Sequence, residues 1–383
     1  MSEDINTIQD QNQPDDNSPF RGQGGYYSGP DGNSPFRGLG GLLRENIKNL
    51  TPYSSARDEY QGEASVFLDA NENAFGSPLN QQFNRYPDPL QYQLKKRITE
   101  IKGVPPRNIF VGNGSDEAID ILFRSFCNPG VDNVIIVPPT YGMYQVSANI
   151  NDVEARKVLL TEDYQLNLEG IAEAIDEHTK LIFICSPNNP TGNSINRADV
   201  ETLLANFNGL VIVDEAYINF SRQKTFIQEL TEYANLVVLQ TLSKAWGLAG
   251  LRVGMAFASE EIIEVMNKVK PPYNVNEASQ QLALEALDNI DQINSWIKET
   301  LTQRDRLVLE LKNFDFVLDI YPSDANFILV KTTDANKIYD YLVSKGIIIR
   351  NRSKVELCEG CLRVTVGTPD ENTTLLQTLQ NFK

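Results

Sequence analysis

Thr241-Leu242-Ser243-Lys244-Ala245-Trp246-Gly247-Leu248-Ala249-Gly250-Leu251-Arg252 lies between two short apolar runs, 236–240 and 252–258, and sets a lysine among small residues. Both runs lack polar alternation, as strands covered on both faces do. Similar runs recur at 108–111, 133–137, 180–185 and 209–213, each closed by turn residues and separated by helical stretches. That alternation predicts an α/β fold built on a largely parallel sheet. After Pro271-Pro272 the pattern changes. Ile290, Ile293, Ile297 and Leu301 recur at helical spacing and continue through Leu307, Leu311 and Phe314, predicting one long amphipathic helix. Strand-like runs at 326–330, 346–349 and 362–366 follow, so a second, smaller α/β domain is expected.

Open α/β sheets bind ligands beyond the carboxyl ends of their strands, where the Lys244 loop would lie. A lone loop lysine is usually a solvated charge. Its neighbours suggest more: Arg252 adds cationic charge suited to a phosphate, and Ser243 adds a hydroxyl. Val211-Ile212-Val213-Asp214-Glu215-Ala216-Tyr217 ends another run with an acid and then a phenol. A carboxylate at a buried strand end is costly unless it meets a cation. Gly112-Asn113-Gly114-Ser115-Asp116 leaves a strand through glycines and enters a helix, whose first N–H groups suit an anion. Ser186-Pro187-Asn188-Asn189-Pro190-Thr191-Gly192 reads as a turn; either it is only that, or its side-chain amides face a bound ring.

Composition narrows the partners. With 34 Lys+Arg against 51 Asp+Glu the net charge is −17, which argues against nucleic acid and anionic membranes and favours a small soluble substrate. No stretch approaches the roughly 18 apolar residues of a membrane span. At 383 residues, 41% hydrophobic and 22% charged, two domains are expected at about 150 residues each. Cys127, Cys185, Cys358 and Cys361 are too few for a disulfide framework, which suggests a reducing cytoplasm. Cys358 and Cys361 form one C-x-x-C, read as a turn entering the strand at 362–366. With His178 as the sole histidine, no metal site is expected. His178, in Asp176-Glu177-His178-Thr179-Lys180, reads as a solvated helix end. The first 41 residues hold 8 of the 24 glycines and repeat Asn17–Gly25 with one change at Asn33–Gly41, the composition of a disordered tail. Its aromatic residues Phe20, Tyr26, Tyr27 and Phe36 give it the alternative reading of an interaction arm.

A lysine, an acid, a phenol, an amide, an anion cradle and an arginine at the strand ends of one sheet are the groups that pyridoxal 5′-phosphate requires. The chain resembles the fold-type I pyridoxal-phosphate aminotransferases, and more narrowly the histidinol-phosphate aminotransferases, over residues 45 to 383. The likeness is carried by Leu50-Thr51-Pro52-Tyr53, Ala70-Asn71-Glu72-Asn73, Asn84-Arg85-Tyr86-Pro87-Asp88, Pro138-Pro139-Thr140-Tyr141-Gly142-Met143-Tyr144, Ser186 to Gly192, Asp214-Glu215-Ala216-Tyr217, Ser243-Lys244-Ala245 and Leu362-Arg363-Val364-Thr365-Val366-Gly367-Thr368. It implies a large domain with a mostly parallel seven-stranded sheet and a smaller α/β C-terminal domain. The expected organisation is a tail over 1–44, an N-terminal arm over 45–76, the cofactor domain over 77–275 and the small domain over 276–383.

The same resemblance implies roles. Lys244 would carry the cofactor as an aldimine and move the proton, Asp214 would hold the pyridinium nitrogen, and Tyr217 and Asn189 would bond O3′. Tyr141 would stack on the ring. Gly114, Ser115, Asp116, Ser243 and Arg252 would hold the phosphate, with Tyr86 reaching over from a second subunit, which implies a homodimer. Arg363 would meet both the substrate phosphate and the carboxylate of glutamate, helped by Arg350, Tyr53, Asn326 and Tyr273 of the partner, with Arg352 close enough to share the task. The implied reaction is amino exchange between L-histidinol phosphate and 2-oxoglutarate in histidine biosynthesis. Aromatic amino acid aminotransferases and threonine-phosphate decarboxylases are rivals on the same scaffold; the 138–144 run favours the first reading. A non-catalytic binding protein on this fold is the remote alternative, disfavoured by the intact lysine site.

Overall fold

A computed structural model describes residues 38–53 and 65–382. The larger sheet holds β1 (Ile109–Asn113), β2 (Asn133–Ile136), β3 (Glu154–Lys157), β4 (Thr179–Cys185), β5 (Leu210–Asp214), β6 (Leu236–Thr241) and β7 (Val253–Ala258), in the order β1-β7-β6-β5-β4-β2-β3. All pairs are parallel except the two made by β7. Side chains on both faces of β4 to β7 are buried, which is why these runs show no alternation. Register then decides where the site lies. Cys185 pairs with Asp214, Thr241 with Gly254, and Asn113 with Val253, so the last residues of four strands and the first of β7 meet at one edge.

β3 was not among the apolar runs. Its sequence, Glu-Ala-Arg-Lys, is polar because it pairs on one side only, and charged side chains protect such an edge.

The second sheet is antiparallel and comprises β8 (Val317–Ile320), β9 (Phe327–Thr332), β10 (Arg350–Asn351) and β11 (Cys361–Thr365), ordered β10-β11-β9-β8. Ile328, Val330, Leu362 and Val364 on one face pack with Leu307, Leu311, Ile338, Leu375 and Leu379. Alternation turns Phe327, Leu329, Cys361 and Arg363 to the other face, and Leu329 and Cys361 there join the core of the large sheet. The long helix runs Ile290–Leu311. The last helix, Pro369–Gln380, starts on a capping box between Thr368 and Glu371 with proline in its first turn.

Three expectations need correction. The strand expected at 346–349 is not one; pairing occurs at Arg350–Asn351, while Ile349 is buried in the small core without joining the ladder. His178 is not at a helix end. The preceding helix stops at Ala174, and His178 sits in the turn before β4 with its N–H on Asp176 Oδ1 at 2.9 Å. The tail expected over 1–44 is drawn too long, because Leu39 and Leu42 are buried beside Phe123, Phe126 and Ile262. Arg44 also ties in, its N–H donating to Ser125 O at 3.1 Å and its guanidinium to Arg124 O at 2.7 Å. The repeats up to residue 37 lie outside the described residues. Cys358 and Cys361 are buried thiols at the turn that enters β11. Among the described residues no helix is long and apolar enough to cross a membrane.

Candidate active site

The strand edge opens into a pocket lined by ten of the anticipated cofactor residues: Gly114, Ser115, Asp116, Tyr141, Asn189, Asp214, Tyr217, Ser243, Lys244 and Arg252. Cys185, Ala216, Thr241 and Ala249 complete the lining.

One end is cationic. Arg252 leaves the Lys244 loop in a left-handed conformation (φ 54°), its guanidinium 3.4 Å from Ser243 Oγ and 3.2 Å from Asp116 Oδ2. Its carbonyl accepts the Gly114 N–H at 2.7 Å, which fixes the helix start at Gly114–Phe126 against the loop. Gly114 has φ 75°, and a Cβ there would lie 2.6 Å from Arg252 Nη2. The positive φ requires glycine, and a side chain there would displace the end of Arg252. The Asp116 carboxylate holds Arg252 and accepts Tyr141 Oη at 3.0 Å, so only its backbone N–H remains suited to an anion.

The floor is acidic. Asp214 is 2% exposed, and burial pushes its carboxyl up to about 6 despite donation from Tyr144 Oη at 2.7 Å and Ala216 N–H at 3.1 Å. A cation placed beside this buried carboxyl would favour its ionised form. Tyr144 was not among the anticipated site residues. It is fully buried, stacked 4.9 Å from Phe183, and its phenol spends its proton on Asp214. The signal was available: Tyr144 lies three residues after Tyr141, in the first turn of the helix Met143–Ile150, and a buried phenol nearly always has a polar partner.

Lys244 faces the open mouth, with Nζ 5.6 Å from the Tyr217 ring centre. Burial first, then Arg363, lower its pKa, while Asp214 and Asp116 oppose them. Such a lowered ammonium yields a neutral amine more readily. Tyr217 lies 3.5 Å from Asn189 Nδ2, and burial raises its pKa. Asn189 Oδ1 in turn accepts Arg363 Nη1, and the Arg363 guanidinium lies over the Phe327 ring at 5.1 Å. The second sheet thereby brings its arginine to the pocket margin.

The remaining anticipated residues do not line the pocket. Arg350 is exposed opposite Arg363 on β10; Asn326 is half-buried, its carbonyl accepting Val366 N–H at 2.9 Å; Tyr53 is exposed. Tyr86 and Tyr273 stack on each other at 4.5 Å within one chain and are not part of the pocket lining.

The sequence pattern of Aminotransferase class I and II matches residues 59–379. The chain belongs to the class I and II aminotransferases. This aminotransferase is 57% identical to the histidinol-phosphate aminotransferase of Bacteroides thetaiotaomicron, over 89% of its own length and 98% of the relative's. It is 55% identical to that of Parabacteroides distasonis, with the same coverage. The crystal structure of the histidinol-phosphate aminotransferase from Clostridium acetobutylicum superposes with a TM-score of 0.72 at 25% identity, covering 78% of this chain and 90% of that one. The donor set of the aminotransferase fits pyridoxal phosphate. The glycine cradle that a Cβ would fill suits its phosphate, and the buried Asp214 suits its ring nitrogen.

Proposed function

We propose that this aminotransferase uses pyridoxal phosphate to exchange an amino group between L-histidinol phosphate and 2-oxoglutarate; in the biosynthetic sense it consumes imidazole acetol phosphate and glutamate and forms L-histidinol phosphate and 2-oxoglutarate. The observation that carries the reading is the single pocket that gathers an amine, a buried acid and a cationic end, with Arg363 at its margin. The names of relatives at 51–57% identity support the same substrate.

When bound, pyridoxal phosphate supplies an electron sink for the pair left at the substrate Cα. The chain's own groups do the rest. Lys244 Nζ holds the cofactor and takes the proton from Cα, a task suited to its lowered pKa. Asp214, ionised by its Tyr144 and Ala216 bonds, pairs with the ring nitrogen. Tyr217 and Asn189 donate to the ring oxygen, and Tyr141 lies against the ring face. Ser243, Arg252 and the N–H groups at 114–116 orient the phosphate. Arg363 grips the substrate anion bidentately, helped by Arg350 and Asn326.

A homodimer in the cytoplasm is part of the reading. Val66, Leu68, Phe75, Leu79 and Tyr86 are exposed along one segment, apolar surface that suits a second copy. Tyr53, Tyr86 and Tyr273 at this surface would complete the partner's site. Residues 77–275 and 276–383 are read as the two domains that flank the pocket.

The test is a single-turnover spectrum of the cofactor-loaded protein with L-histidinol phosphate, phenylalanine or threonine phosphate. Conversion with histidinol phosphate is expected to be the fastest by at least about tenfold, and Lys244→Ala to lose both the lysine-linked absorbance and turnover. Preference for phenylalanine, or release of CO2 from threonine phosphate, would overturn the assignment.

A further inference from the structure

Arg352 follows β10, and its N–H donates to Cys361 O at 2.9 Å, which continues the β10–β11 pairing by one residue. Paired residues share a face and side chains alternate along a strand. Arg350 pairs with Arg363, so Arg352, two residues on, falls on that same face. Three guanidinium groups thus converge beside the pocket in a chain of net charge −17. None of the three has a carboxylate within ion-pair distance among the described residues. The Nε atoms of Arg352 and Arg363 and the Oγ of Ser353 are buried with no hydrogen-bond partner. Burial first, then Arg363 and Arg350, press the Arg352 guanidinium down to about 10. Buried donors left open in an all-cationic cluster call for an anion with more than one charge, since the guanidinium groups of Arg363 and Arg350 alone would already outnumber the single charge of a carboxylate.

We infer that Arg352 is a specificity-determining residue of the substrate-anion site, adding the third guanidinium that favours a phosphate dianion over a carboxylate. The inference rests on the function proposed above and deepens it. A phosphate monoester carries about −1.5 to −2 at neutral pH and offers three acceptor oxygens, matching three cations; a carboxylate offers two oxygens and a single charge.

The experiment compares wild type, Arg352→Gln and Arg352→Lys in the two separate half-reactions, with inorganic phosphate as a competitor of the glutamate half-reaction. In Arg352→Gln the KM for histidinol phosphate is expected to rise about 10- to 100-fold with kcat within about threefold. The KM for glutamate should rise no more than about threefold, and inhibition by phosphate should weaken at least about tenfold. Arg352→Lys, which keeps the charge, should recover part of the loss. Circular dichroism and the cofactor absorbance report folding independently of activity. Equal losses for both substrates, or unchanged phosphate inhibition, would overturn the inference. A wild type that ignores histidinol phosphate would sink the proposed substrate, while phosphate inhibition would still decide the role of Arg352.

Discussion

Asp214 is the residue on which the pocket's electrostatics turn. Its pKa is raised from 3.8 to about 6, so the native state binds this proton more tightly than the unfolded chain does. Stability from this group is therefore greatest at low pH, falls as pH rises from about 4 to about 6 and is flat above. In the cofactor-free protein, Asp214→Asn should remove that slope, on the order of 3 kcal/mol across the window, read from denaturation midpoints of both proteins at a series of pH values. Tyr144→Phe acts in the opposite sense. Asp214 Oδ2 loses its phenol donor, its pKa climbs further, and the cofactor-free protein should lose about 2 kcal/mol at pH 8 and less at pH 4.5. An equal loss at both pH values would show that Tyr144 contributes packing rather than a hydrogen bond to the carboxylate. The lysine, acid, phenol and amide were legible from residue type and position. Tyr144 was passed over because its neighbour Tyr141 accounted for the motif and its partner lies 70 residues away.

Among the elements, the contact of β7 with the helix start at Gly114–Phe126 shapes the phosphate end. A Cβ at Gly254 would lie 2.2 Å from Gly114 C and Ser115 N, both backbone atoms that no rotamer change can move. Gly254→Ala must push the helix start away from the strand, so a loss of about 2 kcal/mol is expected together with faster cofactor dissociation. A thermal melt and an absorbance-based off-rate measure the two, and an unchanged off-rate would separate this contact from the cofactor cradle. Element reading succeeded where strands are covered on both faces. It failed at β3 and β8, edge strands whose side chains are polar or exposed, and at 346–349, where apolar residues fill a core without pairing. Periodicity reports burial, and these are the places where burial and hydrogen-bonded pairing part company.

For the whole molecule, the packed chain begins at least as early as Leu39. A form truncated at residue 44 should be about 3 kcal/mol less stable than one truncated at 37, because it loses the buried Leu39 and Leu42 and the Arg44 bonds to 124 and 125. Guanidinium denaturation of the two forms decides it; equal midpoints would mean that these leucines contribute nothing. Sequence by itself determined the fold class and the chemical inventory, because apolar runs record burial and because an amine, an acid and an anion cradle at successive strand ends suit few chemistries. Tertiary structure alone decided the rest. Register set the ends of β1, β4, β5 and β6 and the start of β7 along one edge, the second sheet carried Arg363 to Asn189 across 174 residues, and strand alternation turned Arg350, Arg352 and Arg363 to one face. These contacts join residues far apart in the chain, where only packing fixes which groups meet.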